Sequence, residues 1–334
     1  MSIDERAMTI ADAAVEGYCP SENDLEYLLQ FDGYSPEAAY VEVQARRIAF
    51  QASKGQATIH AQIGVDAHPC PENCQYCAFA CVNSDAASGE APGETSFELP
   101  MDEVVKYAQI FDELNVHLIS LMSTAGMPFS RYLDMVRAVR AAVSPDMPIL
   151  ANTRDLTVGE ARALKEAGAN AAYHAVRIGE GRYTDIDPAR RKQTIENIHA
   201  AGLALMSGIE PVWEGCSVPE LCQRLLDLRD FQPYCTGACG LSSVEGTVLA
   251  GKGMKTPRTG FVRYIGALSR LVCGYDVRFG GVGGSVWVDA GCDPRKRGVG
   301  YERTMLERDV HKARRQLSKD GWTVPLRADM QWFA

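Results

Sequence analysis

No stretch of this 334-residue chain stays apolar long enough to cross a bilayer, and Met1 to Arg6 carry one arginine beside Asp4 and Glu5 with no hydrophobic region behind them. Neither a membrane span nor a secretory leader is expected, and the chain reads as cytoplasmic. Basic runs are scarce as well. With 34 Lys and Arg against 43 Asp and Glu the net charge is −9, and no basic block exceeds Arg295-Lys296-Arg297, so a nucleic-acid partner is not expected. Low-complexity linkers are also missing, and the length suits two domains or one large α/β barrel. Cysteine, in contrast, is plentiful. Eleven thiols in an acidic chain without a leader argue against a disulfide scaffold and for reduced side chains, some of them metal ligands.

The most informative of these thiols are Cys70, Cys74 and Cys77, in the run His68-Pro-Cys-Pro-Glu-Asn-Cys-Gln-Tyr-Cys-Ala-Phe79. They follow an apolar alternating segment, Thr58 to Val65. Thiolates this close on one loop can reach one metal centre, and soft sulfur selects Fe–S, Zn or Cu(I). A fourth ligand, Cys81 or His68, would close the site as a zinc knuckle. Three ligands alone leave an iron open to substrate or cofactor.

Periodicity organises the rest. Residues 1–55 read as a helical extension, with Ser21-Glu-Asn-Asp as a capping signal and apolar residues at helical spacing from Pro36 to Ser53. From residue 57 strands alternate with helices. Strands are expected near 58–65, 117–122, 148–152, 170–176, 204–210, 238–243, 276–280 and 285–288. Helices are expected near 101–115, 129–143, 157–167, 188–201, 217–229 and 258–272. The clearest helix starts at Asp187-Pro188 and stops at Gly202, a cap, a first-turn proline and a terminating glycine. This pattern predicts an α/β fold, a (β/α)8 TIM-type barrel over 56–300, with the helical extension before it and a C-terminal helix and tail over 301–334. The run 82–98 reads as a mobile loop. In such a barrel the site lies at the C-terminal strand ends. Polar residues recur there: Ser123 in the turn Ser120 to Gly126, Asn152 and Arg154, then His174, Arg177 and Glu180.

The Cys-x3-Cys-x2-Cys spacing, with Tyr76 before the third cysteine, resembles the signature of the radical S-adenosylmethionine (SAM) superfamily. Arg190 to Glu210 is similar to a stretch of its biotin synthase-like members. Cys77-Ala-Phe-Ala-Cys81-Val-Asn83 and Tyr301 to Asp309 look like methylornithine synthase. The resemblance covers roughly residues 40–320. It implies a 4Fe-4S cluster on Cys70, Cys74 and Cys77, SAM on its open iron, and Tyr76 against adenine. It further implies Arg191 on the SAM carboxylate, with Asn152, Arg154, His174, Arg177, Glu180, Glu210 and Arg278 lining the SAM and substrate space. A small-molecule substrate, a reduced flavodoxin or ferredoxin as electron donor, and a homodimer also belong to that expectation.

Biotin synthases hold a second, sulfur-donating cluster on cysteines of strands two, three and five. This chain has Ser120 to Ser123, Ala151-Asn152 and Met206 there, and Arg278 alone matches the late-strand arginine. Cys235 and Cys239, with Cys216, Cys222 or Cys292, could hold an auxiliary cluster instead. Sulfur insertion into a biotin- or lipoyl-type precursor is then the leading expectation. The alternative is a radical rearrangement or cofactor assembly with one cluster, as in methylornithine synthase or hydrogenase maturation.

Overall fold

The computed structural model describes residues 3–83, 97–291 and 300–330. Cys292, Arg295 to Arg297, most of the 82–98 loop and the last four residues lie outside the described residues.

Three helices open the chain: α1 (Glu5–Val15), α2 (Glu22–Leu28) and α3 (Pro36–Ala52). Each starts where a small polar side chain accepts from a free amide: Asp4 from Ala7 N (2.9 Å), Ser21 from Asp24 N (3.3 Å) and Ser35 from Ala38 N (3.0 Å). Buried Ala38, Val41, Ala45, Ile48 and Ala49 fall three and four residues apart on α3, hence on one face. That face meets α10 (Thr259–Cys273), and side chains of α1, α2, α3, α8 (Val218–Asp230) and α10 share a single core. The helical extension is thus a layer on the flank of the barrel.

Eight parallel strands form the barrel sheet: β1 (Thr58–Gly64), β2 (Leu118–Met122), β3 (Ile149–Asn152), β4 (Ala171–Tyr173), β5 (Ala204–Met206), β7 (Cys235–Thr236), β9 (Phe279–Gly280) and β10 (Ser285–Ala290). Their order is β10-β1-β2-β3-β4-β5-β7-β9. Two segments, β6 (Ile209–Val212) and β8 (Ala238–Gly240), prolong β5 and β7 toward the mouth and pair with each other. Helices α4 (Met101–Glu113), α5 (Phe129–Ala142), α6 (Val158–Glu166), α7 (Pro188–Ala200), α8 and α10 supply the long crossovers that parallel neighbours require. A short helix, α9 (Val248–Gly251), sits in the β8–α10 connection, and α11 (Arg303–Lys319) packs over β10. The expected TIM-type barrel is therefore present. Its sixth strand enters the sheet earlier than expected, at Cys235, because Gly237 splits it and hides the alternation on which the reading relied.

The barrel closes in an unusual way. Only Gly281 to Gly284 separate β9 from β10, too few for a crossover, so the chain runs on in one direction. It leaves β7 and joins β1. Buried Arg270 of α10 secures this bend by donating to the carbonyls of Val277 (2.5 Å) and Gly280 (2.6 Å).

Strand alternation sorts the wall. Ile59, Ala61, Ile63, Ile119, Leu121, Ile149, Ala151, Val288 and Ala290 join the core between sheet and helices. Their neighbours face the bore. At its floor Leu118, Leu150, Ala171, Met206, Cys235 and Phe279 cluster with Met330. Higher up, His60 stacks edge-on with Trp287 (4.7 Å between ring centres) and Gln62 approaches Asp289 (3.5 Å). Among the described residues no helix is long and apolar enough to cross a membrane.

Candidate active site

The cysteine loop leaves the C-terminal end of β1 and is held from several sides. Asp66 accepts from Thr124 N (2.8 Å), Thr124 Oγ1 (2.7 Å) and His68 N (3.0 Å), which ties the loop to the turn after β2. Within that turn Gly126 lies so close that a Cβ there would come within 2.4 Å of Pro69 O. Cys70 N donates to Phe79 O, and Cys81 N to Cys70 O, so the loop folds back on itself. Asn83 fastens it. Its Nδ2 donates to the carbonyls of Cys74 (3.1 Å) and Cys77 (3.0 Å), while its Oδ1 accepts from Val248 N of α9 (2.9 Å). Leu249 N donates in turn to Gln75 O.

The three thiols share one loop. Cys70, Cys74 and Cys77 are near enough to perturb one another, and the amides of Glu72 and Ala125 donate toward the Cys70 sulfur. Such N–H groups aimed at sulfur are what tune iron–sulfur centres. Burial pushes the Cys74 thiol up to about 12, with Arg177 opposing. Among the described residues no three His, Cys, Asp or Glu side chains converge as one metal ion requires. Of the two candidate fourth zinc ligands, Cys81 is exposed and His68 Nε2 faces Glu98 at 3.8 Å.

Beside the loop stands a buried chain of ion pairs. Arg177 Nε donates to Glu210 (3.0 Å), and its own amide donates to Glu180 (2.6 Å). Burial works against the Arg177 charge, yet Glu210, Tyr76, Glu180 and Cys74 together lift its pKa above the ordinary guanidinium value. Arg191 Nε donates to Glu180 (3.2 Å) and its Nη1 to Asp155 (3.0 Å). Asp155 also accepts from His174 Nε2 (2.7 Å), Arg190 Nε (2.5 Å) and Thr194 Oγ1 (3.0 Å), and Arg190 continues to Glu72 (2.6 Å) inside the cysteine loop. Burial would raise the Asp155 carboxyl, but the His174 hydrogen bond and the two arginines hold it well below the usual carboxylate range. Burial pulls His174 down to about 4 despite Asp155, so the ring is neutral at pH 7.

The structure thus gathers Cys70, Cys74, Cys77, Tyr76, His174, Arg177, Glu180, Arg191 and Glu210 at one mouth. Asn152 and Ser123 lie at the neighbouring strand ends, joined by Ser123 N to Asn152 O (2.9 Å), with Ser123 Oγ donating to Thr153 (2.8 Å). Arg154 turns to the rim, onto Glu160 (2.5 Å) and the Phe129 ring. Arg278 is not brought here. It precedes β9 and donates to Gln56 (3.2 Å) just below β1, at the opposite end of the barrel. Cys235 and Cys239 are parted by depth. Cys235 lies in the apolar floor beside Ser285, whereas Cys239 lies at the mouth by Tyr173, Glu210 and Arg177. Cys216 and Cys222 pack with α8 against the N-terminal helices.

Sequence reading passed over Asp155 and Glu72, the carboxylates that join loop and strand ends. Asp155 directly follows the selected Arg154, and Glu72 sits inside the cysteine motif. Asp289 and Trp287 also went unselected, since their inward direction depends on a register that only β1 fixes.

No family model matches the chain. It is 30% identical over 211 residues to the biotin synthase of Streptomyces avermitilis, a match covering 61% of this chain and 52% of that one. The chain therefore spans about half the length of that relative. By fold it is similar to methylornithine synthase (TM-score 0.76, 18% identity, 96% of this chain and 98% of that one). The [FeFe]-hydrogenase maturase HydG of Carboxydothermus hydrogenoformans is comparable (TM-score 0.74, 16% identity, 96% and 80%).

Proposed function

We propose that this chain, which belongs to the biotin synthase-like and methylornithine synthase-like group of the radical SAM superfamily, starts its reaction by abstracting a hydrogen atom from a small molecule held in the barrel bore. What carries the reading is a trio of cysteines, Cys70, Cys74 and Cys77, on one loop that leaves the C-terminal end of β1 in a parallel barrel. When bound, a 4Fe-4S cluster on Cys70, Cys74 and Cys77 and SAM on its open iron would supply a carbon radical able to attack unactivated C–H bonds. A reduced flavodoxin or ferredoxin would supply the electron. The protein's part is aim and exclusion of water. Tyr76 would cover adenine. Arg191 has Nη2, the nitrogen unused by Asp155 and Glu180, for the SAM carboxylate. Arg177 and Glu210 would fix the side facing substrate. Trp287, 39% exposed, and Asp289 line the opposite wall of the bore.

Of the two reaction types, the geometry favours rearrangement or cofactor assembly with one cluster. Bore positions on strands two, three and five hold Ser120, Leu150 with Asn152, and Met206. Cys235 and Cys239 are four residues apart along one strand path, roughly 13 Å, and occupy different layers. Sulfur insertion would need a donor cluster on some other ligand set.

Anaerobic reconstitution tests both parts. About four iron atoms per chain, as one 4Fe-4S cluster requires, and reductive cleavage of SAM that is lost in Cys74→Ala are expected. A reconstituted chain that leaves SAM intact would refute the reading. A second complement of iron, lost in Cys235→Ala or Cys239→Ala, would return the argument to sulfur insertion.

A further inference from the structure

Cys239 is set apart from the other thiols. It lies on the inward face of β8, since its neighbour Ala238 packs on the outer core. Around it stand Tyr173, Glu210 and Arg177, and Arg177 reaches on to Cys74 and Tyr76 of the cysteine loop. The side chain opens onto the bore while the barrel wall still desolvates it, so burial pushes the thiol up to about 11 and it keeps its hydrogen at neutral pH. The bore holds an unpartnered polar group as well. Ser120 is fully buried on the bore side of β2, next in register to Gln62, and its hydroxyl has no hydrogen-bond partner among the described residues.

We propose that Cys239 is a catalytic hydrogen-atom donor that quenches the product radical in the bore. The proposal rests on the radical reading of the site. An S–H bond is weaker than an alkyl C–H bond, so transfer from sulfur to a carbon-centred radical runs downhill. In the step the product carbon gains the hydrogen and Cys239 becomes a thiyl radical. One electron from the donor that reduces the cluster, with one solvent proton, restores the thiol. Glu210, paired with Arg177 beside it, is positioned to relay that proton. Net loss or retention of hydrogen by the substrate would then be settled at β8.

SAM alone serves as the probe. Cluster-loaded protein is reduced in D2O without other substrate, and the mass of the 5'-deoxyadenosine formed is read. Thiol hydrogens exchange with solvent and carbon-bound ones do not. The wild-type chain should yield 5'-deoxyadenosine one mass unit heavier, and Cys239→Ala and Cys239→Ser should return the unlabelled product, whereas Cys235→Ala should keep the label. Equal labelling in wild type and Cys239→Ala, or unlabelled product from wild type, overturns the proposal. Failure of the wild type to release any 5'-deoxyadenosine defeats the radical reading itself, a distinct result. The placement is read without turnover too. In the cluster-free chain at alkaline pH, iodoacetamide should modify Cys239 well before Cys235, and equal rates would count against a thiol open to the bore.

Discussion

Replacing Asp155 with asparagine keeps the shape of the side chain and removes its charge. In the folded chain that carboxylate faces Arg191, with side-chain exposures of 12% and 6%, and it also accepts from Arg190, His174 and Thr194. Two unit charges at about 4 Å in surroundings of effective dielectric near 20 attract by roughly 4 kcal/mol. Stranding one member of a buried pair typically costs about 3–5 kcal/mol. Arg190 is half exposed and adds no more than about 1 kcal/mol. Glu180 still pairs with Arg191 in the variant, so the lower end applies, about 3 kcal/mol. At roughly 2 °C per kcal/mol for a chain of this size, Tm at pH 7 should fall by about 6 °C. The pH dependence has a fixed sign. Asp155 titrates below its unfolded value, so its contribution is complete above about pH 4 and disappears as pH falls further. Thermal unfolding of wild type and Asp155→Asn at pH 7 and pH 3 should therefore show a gap that narrows in acid. Equal Tm values at pH 7, or a gap that widens on acidification, would refute the reasoning.

Asn83→Ala should loosen the cysteine loop, because it strands two carbonyls and one amide at about 1 kcal/mol each; faster hydrogen exchange across residues 70–83 and lower iron retention are the expected results, and unchanged exchange would contradict the latch. Acid should weaken the fold well before the carboxylates titrate. Burial lowers His60 to about 3 and His117 and His174 to about 4, each from 6.5. The unfolded chain thus takes up protons that the folded one refuses, and stability is full above about pH 6.5 and declines toward pH 4. Urea unfolding at several pH values should show that decline, and His174→Gln should lessen it.

Much of this could be read from residues alone, and the reasons are local. Caps at Ser21 and Asp187 announce helices within a turn of where they begin. The cysteine spacing declares its loop without help from the rest of the chain. Depth is where the reading stopped. Whether Cys235 and Cys239 lie together depends on Gly237 and on pairing with β5 and β6, which are distant in sequence. Arg278 could look like a mouth residue because nothing near it shows that β9 is only the lower part of a strand path completed by β10. Asp155 was missed for a similar reason, since its partners come from β4 and α7.

The latch between Asn83 and Val248 joins residues 165 positions apart. A ribosome adding roughly 5–20 residues per second makes the second partner roughly 8–33 seconds after the first. Until then the loop carrying Cys70, Cys74 and Cys77 hangs from an unfinished chain without its latch. A cluster delivered to the loop before residue 248 has been made would therefore meet a loop without its latch, so the proposed metallation belongs late in the biogenesis of the chain.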